Sequence, residues 1–133
     1  RLFDTDLAEA CHHEGIGLLA FSVLAAGILS DKYAGDKTPT PSRRVNQPDI
    51  NGRLTPQSLA ASDEYAALAR SHGLSPVHMA LAWACERPFM AAPIIGATTS
   101  TQLQHILEGV DTTLSDELRS GIAAIYKKYP RPM

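Results

Sequence analysis

The sequence predicts an α/β fold in which parallel strands alternate with helices, and three observations carry that expectation. A nearly continuous apolar run from Ile16 to Leu24 is bounded by glycines, the pattern of a strand buried on both faces of a parallel sheet. A second short run, Pro93-Ile94-Ile95, stops at Gly96 and gives way to hydroxyls and then to an amphipathic pattern from Gln102 and Leu103. Helix-opening signals recur around these runs, with Thr55-Pro56 and Ser75-Pro76 each pairing a cap with a first-turn proline. Strands separated by helices in this way imply right-handed parallel crossovers.

Each element can be justified in order. Thr5 or Asp6 caps a helix reaching about Glu14, with Leu7, Ala8, Ala10 and Cys11 as apolar positions. Gly15 stops it, because glycine accepts the left-handed conformation at a helix end. The first strand follows. Residues 30–54 are rich in Pro, Gly, Asp, Asn and basic side chains, and so long a connection inside a small domain reads as a functional flap or a disordered stretch. From Thr55, the apolar positions Leu59, Ala60, Tyr65, Ala66, Leu68 and Ala69 support a helix to His72-Gly73. From Ser75, Val77, Met79, Ala80, Leu81, Trp83 and Ala84 make a more buried helix that Arg87-Pro88 ends. The second strand then leads into a helix from about Thr99 to Glu108. Ser115 caps the last helix, with Leu118, Ile122, Ile125 and Tyr126 at helical spacing. Two strands alone do not protect a core, so either further strands are hidden in the sequence or the rest of a sheet or barrel lies elsewhere.

Composition bounds the function classes. The chain has 133 residues, 44% apolar and 20% charged, which is enough for one compact soluble domain. A formal net charge of −2 gives no electrostatic case for a nucleic-acid partner. No apolar run approaches the roughly 20 residues that span a bilayer, so no membrane partner is expected. Nothing after Arg1 resembles a signal peptide, and a cytoplasmic location is the expectation. Arg1-Leu2-Phe3 runs without a methionine straight into a helix, as in a chain joined in its middle. Cys11 and Cys85 stand in no CxxC context and are expected to be buried thiols.

The chemistry concentrates at the two strand ends. A helix that starts at the C-terminal end of a strand aims its unpaired N–H groups toward the ligand side of the sheet, where a phosphate is readily bound. Gly96 admits close approach there, and Thr98, Thr99, Ser100 and Thr101 add hydroxyls. Read alone, this stretch is first a capped helix, with Thr98 or Thr99 as cap, and second an anion cradle. Ser22 and Gly27 sit in the same way after the first strand, and Phe21 is either a ring-stacking surface or core. No other site competes. His12-His13 suit a helix C-terminus, His78 reads as packed or solvent-facing, Ser22 lacks an evident His/Asp companion, and the Lys127-Lys128 pair with Arg131 is too short to argue an anionic partner.

Taken together, "GIGLLAFSVLAAGILSDKY" and "LSPVHMALAWACERPFMAAPIIGATTSTQL" resemble the C-terminal part of an aldo-keto reductase. The resemblance rests on Phe21-Ser22-Val23-Leu24, on Gly27 to Tyr33, on Ser75 to Trp83, and on Pro93 to Gln102 with its glutamine six residues past Gly96. It implies the C-terminal part of a (β/α)8 TIM barrel, residues 1–133 forming one partial domain with 30–54 as a flexible cofactor-side loop. A typical barrel has about 250 residues. The resemblance also implies NADP(H) as cofactor and an aldehyde or ketone as the small-molecule substrate of the complete barrel. Phe21 then takes the position that stacks on the nicotinamide, and Ser22, Leu24 and Gly27 fall where the family lines the pyrophosphate. Lys32 matches a position that contacts phosphate in some members, and Arg43 lies in the loop that can close over the cofactor. Gly96, Thr98 and Gln102 match the positions that hold the 2′-phosphate and ribose.

Three departures matter. Thr98 stands where many members carry Arg or Lys, His105-Ile106 replaces a Glu-Asn pair near the adenine, and Phe21 replaces a tyrosine. The family's catalytic tyrosine, lysine, aspartate and histidine belong to the first half of the barrel. None of Tyr33, Tyr65, Tyr126 and Tyr129 is in a matching context, so no catalytic residue is expected in this chain. The alternative reading is a non-catalytic nucleotide-binding or regulatory half-barrel that acts through a partner chain or associates with itself along exposed sheet edges.

Overall fold

A computed structural model describes residue 3 and residues 6–130. Helix α1 (Asp6–His13) ends at Gly15, whose φ of +66° provides the left-handed stop. Strand β1 (Leu18–Phe21) follows, then a long connection holding two 3₁₀ segments, Ala25–Ser30 and Ala34–Asp36, and the one-turn helix α2 (Arg43–Asn46). Helices α3 (Pro56–Ser71) and α4 (Pro76–Cys85) lead to strand β2 (Met90–Ile94), and α5 (Ser100–Leu107) and α6 (Asp116–Lys128) complete the order.

The helices begin where their caps dictate. Thr55 and Ser58 form a reciprocal capping box, the Thr55 hydroxyl accepting the Ser58 N–H at 3.0 Å while Ser58 Oγ accepts the Thr55 N–H at 2.8 Å. Ser75, Thr99 and Ser115 each accept one backbone N–H of the first turn of α4, α5 and α6. Asp116 and Glu117 in the first turn of α6 and Lys127 and Lys128 in its last complement the helix dipole. The buried side of α3 is made of small residues, Ser58, Ala61, Ser62, Ala66 and Ala69, so its neighbours approach closely. Gly121 of α6 is the counterpart, because a Cβ there would stand 2.8 Å from a Leu68 methyl.

The two strands pair in parallel, with Leu18 opposite Met90, Phe21 opposite Ile94, and one register irregularity between Leu18 and Leu19. Gly17 brings the backbones together, since a Cβ at that position would lie 2.7 Å from Ala91 Cβ. Three apolar clusters support this unit. One joins α3, α4 and α6 through Ala69, Met79, Ala82, Leu114, Leu118 and Ile122. The second holds the long connection through Ile28, Tyr33 and Ile50. The third seats Val23, Leu24 and Ile95, just past the two strand ends, against Val77, Leu81 and Ile106.

Three expectations need correction. The first strand is four residues long rather than spanning the apolar run, and it is not buried on both faces: Leu19 is 61% exposed and Phe21 74%. Among the described residues the sheet has only two strands, so no layer covers that side, and the chain turns off the strand at Ser22. The stretch 30–54, read from its polar composition as a functional flap or a disordered stretch, buries Tyr33 and Ile50 almost completely. Cys85 is exposed rather than buried, because it ends α4 beyond the positions that face the core, and Cys11 is half-buried.

Candidate functional site

The parallel register sets the geometry of the site. Because Phe21 pairs with Ile94, both strands end on the same edge, and the segments leaving them start side by side. Val23 and Leu24 from one segment and Ile95 from the other share a cluster with α4 and α5. Residues about 72 positions apart in sequence are thereby fixed to one base.

The turn after β1 is conformationally demanding. Ser22 has φ +60°, and Ala25, Ala26 and Gly27 follow with φ of +49°, +57° and +93°. A non-glycine residue in the left-handed region costs about 1–2 kcal/mol, and such positions persist where the surroundings over-determine them, often at ligand-binding turns. Gly27 is required by its backbone conformation. Its φ suits glycine, and a Cβ would lie 2.6 Å from Lys32 Nζ, so the lysine folds back across the glycine. The Lys32 ammonium lies 4.9 Å from the centroid of the Tyr33 ring, and Ser30 Oγ donates to the Gly27 carbonyl at 2.7 Å.

The segment after β2 is open. Nothing lies within 4 Å of the position a Cβ on Gly96 would take, so the backbone is approachable from outside. Thr99, rather than Thr98, is the cap of α5, accepting the Gln102 N–H at 3.2 Å. Thr98 donates its N–H and its hydroxyl to Gln102 Oε1 at 3.0 and 2.9 Å. The amide oxygen of Gln102 thus holds the donors that an anion would use. No Lys or Arg occurs between Pro88 and Leu118, so the segment brings no cation of its own to this seat.

Of the nine residues the sequence singles out, the structure groups Phe21, Ser22, Leu24, Gly27 and Lys32 in one turn and Gly96, Thr98 and Gln102 in the other. Leu24 contributes packing, as part of the shared cluster. Arg43 opens α2 as an exposed residue, and among the described residues its side chain makes no hydrogen bond or ion pair with the other eight. Behind α5 lies a pair of imidazoles that the sequence reading did not connect. His105 Nε2 is 3.0 Å from Ser75 Oγ, and His78 Nε2 donates to the His105 carbonyl at 2.6 Å, with the ring centroids 4.5 Å apart. Gly109 permits this, since a Cβ there would stand 2.3 Å from His78 Cδ2. Two histidines among apolar helical positions were the available signal, but their spacing of 27 residues carries no local pattern.

The shifted carboxyls lie elsewhere. The hydrogen bonds from Arg119, with a further one from the Leu114 N–H, hold Glu86 below the usual carboxylate range. Lys128 and then Tyr129 do the same for Glu64 by hydrogen bonding. These contacts tie helices together and face no strand end. Among the described residues no group of three or more His, Cys, Asp or Glu side chains is placed to hold a metal, and no helix is long and apolar enough to cross a membrane.

The sequence profile of the Aldo/keto reductase family matches residues 1–127. The chain belongs to the aldo/keto reductase family. It is 36% identical to Protein tas of Escherichia coli (strain K12) over 135 residues, covering 99% of this chain and 38% of that protein. A probable voltage-gated potassium channel subunit beta of Oryza sativa subsp. japonica is 30% identical over 122 residues, covering 88% of this chain and 37% of that protein. Among solved structures, the glycerol dehydrogenase AKR11B4 from Gluconobacter oxydans superposes with a TM-score of 0.77 at 25% identity, covering all of this chain and 41% of that one. The chain thus spans well under half the length of these aldo/keto reductase relatives.

Proposed function

We propose that this chain is the C-terminal, nucleotide-binding part of an NADP(H)-dependent aldo-keto reductase that reduces aldehydes or ketones to alcohols. One observation carries the reading: the Phe21–Ile94 register opens both family-matched segments on a single edge. The residues present suit a dinucleotide. Phe21 offers an exposed ring at the strand end, suited to stacking on a flat heteroaromatic ring for about 0.5–1.5 kcal/mol. The left-handed turn at 25–27 presents backbone to the pyrophosphate, and Lys32 supplies charge beside it. Gly96 lets the adenosine phosphate come close to the start of α5, where Thr98 and Gln102 exchange their mutual hydrogen bonds for contacts to it. Arg43 reaches the cofactor from the long connection. When bound, the reduced nicotinamide supplies the hydride.

The proton donor belongs to the part of the barrel that lies outside this chain. Tyr33 is sealed in the loop cluster, Tyr65 and Tyr126 lie within α3 and α6, and Tyr129 follows α6. None ends a strand. The rice relative, named as a probable channel subunit, favours a second reading in which the nucleotide site serves a regulatory module with a partner chain.

Titration of NADPH with the complete polypeptide, followed by the change in cofactor fluorescence, tests the common part of both readings. Binding that Phe21→Ala weakens about fivefold is the expected result, and absence of binding overturns the assignment. Carbonyl-dependent NADPH oxidation by the complete polypeptide then separates the reductase from the regulatory module, and the 133 residues alone are expected to show none.

A further inference from the structure

The left-handed turn after β1 needs something to hold it, and α3 provides the hold. Ser62, in the middle of α3 and buried, donates its hydroxyl to the Ile28 carbonyl at 2.7 Å. Two turns further along the same helix, Arg70 pairs with the Asp31 carboxylate. Asp31 is itself left-handed, at φ +65°, and immediately precedes Lys32. Between these ties Ile28 and Tyr33 are seated in the cluster that Leu59 of α3 packs against. The turn is therefore tied at two points between Gly27 and Lys32 by side chains that face it from α3.

We infer that Ser62 and Arg70 are positioning residues for the nucleotide's pyrophosphate: they act through the Ile28 carbonyl and the Asp31 carboxylate to keep Gly27 and Lys32 in binding geometry. This rests on the nucleotide reading above. The physical argument is the state of the backbone. A stretch with four positive-φ residues other than glycine between Ser22 and Asp31 relaxes toward ordinary conformations unless its carbonyls are tied down. An internal carbonyl left without its donor also carries a desolvation cost that favours rearrangement. Ser62 prevents this at Ile28, and the Arg70–Asp31 pair sets the direction in which Lys32 leaves the turn. Neither α3 residue is asked to touch the ligand.

The test compares two probes on the complete polypeptide. NADPH spans the pyrophosphate turn, whereas adenosine 2′-monophosphate engages only the segment after β2. Ser62→Ala and Asp31→Asn (asparagine tolerates the left-handed conformation) are each expected to weaken NADPH about tenfold, leaving adenosine 2′-monophosphate within about twofold of its unmodified affinity. Ser62→Thr, which keeps the hydroxyl, restores most of the NADPH affinity. Equal weakening of both probes makes the role purely structural and overturns the inference, as does unchanged NADPH binding in both variants. If the unmodified polypeptide binds neither probe, the nucleotide reading fails and the positioning role falls with it. If it binds both and the variants do not separate them, only the positioning role fails.

Discussion

At the scale of single residues, Tyr33 shows how ring burial and hydrogen bonding are balanced. Its side chain is 1% exposed, yet its hydroxyl has no hydrogen-bond partner among the described residues. A buried unpaired hydroxyl costs free energy that its ring burial must offset. Tyr33→Phe removes the hydroxyl while keeping the ring against Ile28 and Ile50. The expected outcome is a polypeptide at least as stable as the original, with a gain of up to about 1 kcal/mol in urea unfolding. A loss of that size would mean that the hydroxyl is paired. None of this was readable in advance. Tyr33 lies in a stretch so polar that the composition points to a flap, and part of what buries it, Ile50 and Leu59 of α3, is distant in the chain. Cys85 failed in the opposite sense: cysteine's tendency to be buried says nothing about which side of α4 its last residue occupies.

At the scale of elements, the helices were readable and the strands were only partly so. Thr55, Ser75 and Ser115 are local signals, each satisfied within its own first turn, so the starts of α3, α4 and α6 follow from short stretches of sequence. Strand β1 differs because its end is set by a left-handed Ser22, a conformation that a serine does not advertise, and its burial depends on neighbours that are distant in the chain. Gly27 and Gly96 stand out in the sequence for the same local reason, and family likeness singles out Phe21 and Lys32. The contribution of α3 was not, since Ser62 looks like any small residue on a helix face. The junction of α4 and α6 has a measurable pH signature. Glu86 receives Arg119 Nε at 3.0 Å and Nη2 at 3.1 Å, together with the Leu114 N–H at 3.2 Å. Because its folded-state pKa is depressed, the stabilisation is fully present above the unfolded carboxyl value and is lost as pH falls through the folded one. Glu86→Gln should therefore lower the melting temperature by about 2–4 °C near neutrality, a partly exposed pair contributing modestly. The difference from the unmodified protein should vanish in acid scans below the folded-state value. A difference that persists there would assign the effect to packing.

At the scale of the whole molecule, the chain is a helical layer carrying two strands, with the side of the sheet that bears Leu19 and Phe21 uncovered among the described residues. The relatives reported above are more than twice as long, and a two-stranded sheet is marginal by itself. The 133-residue polypeptide, prepared alone, is expected to self-associate, its average mass in sedimentation rising with concentration. Leu19→Lys, placing a charge on the open face where Leu19 is 61% exposed, should shift it toward monomer without lowering the melting temperature. A monomer at every concentration would mean that the open face is not adhesive. The strand register has one more consequence. The stretch from Gly35 to Asp49 is mostly exposed, and it is the covalent link between the turn after β1 and everything that follows. Cutting that link would not by itself part the two ends of the site, because the paired strands and the cluster of Leu24, Ile95, Val77 and Ile106 hold them without it. Continuity of the chain and integrity of the site are separable in this fold, and a protease nick there would leave two fragments still clasped around one edge.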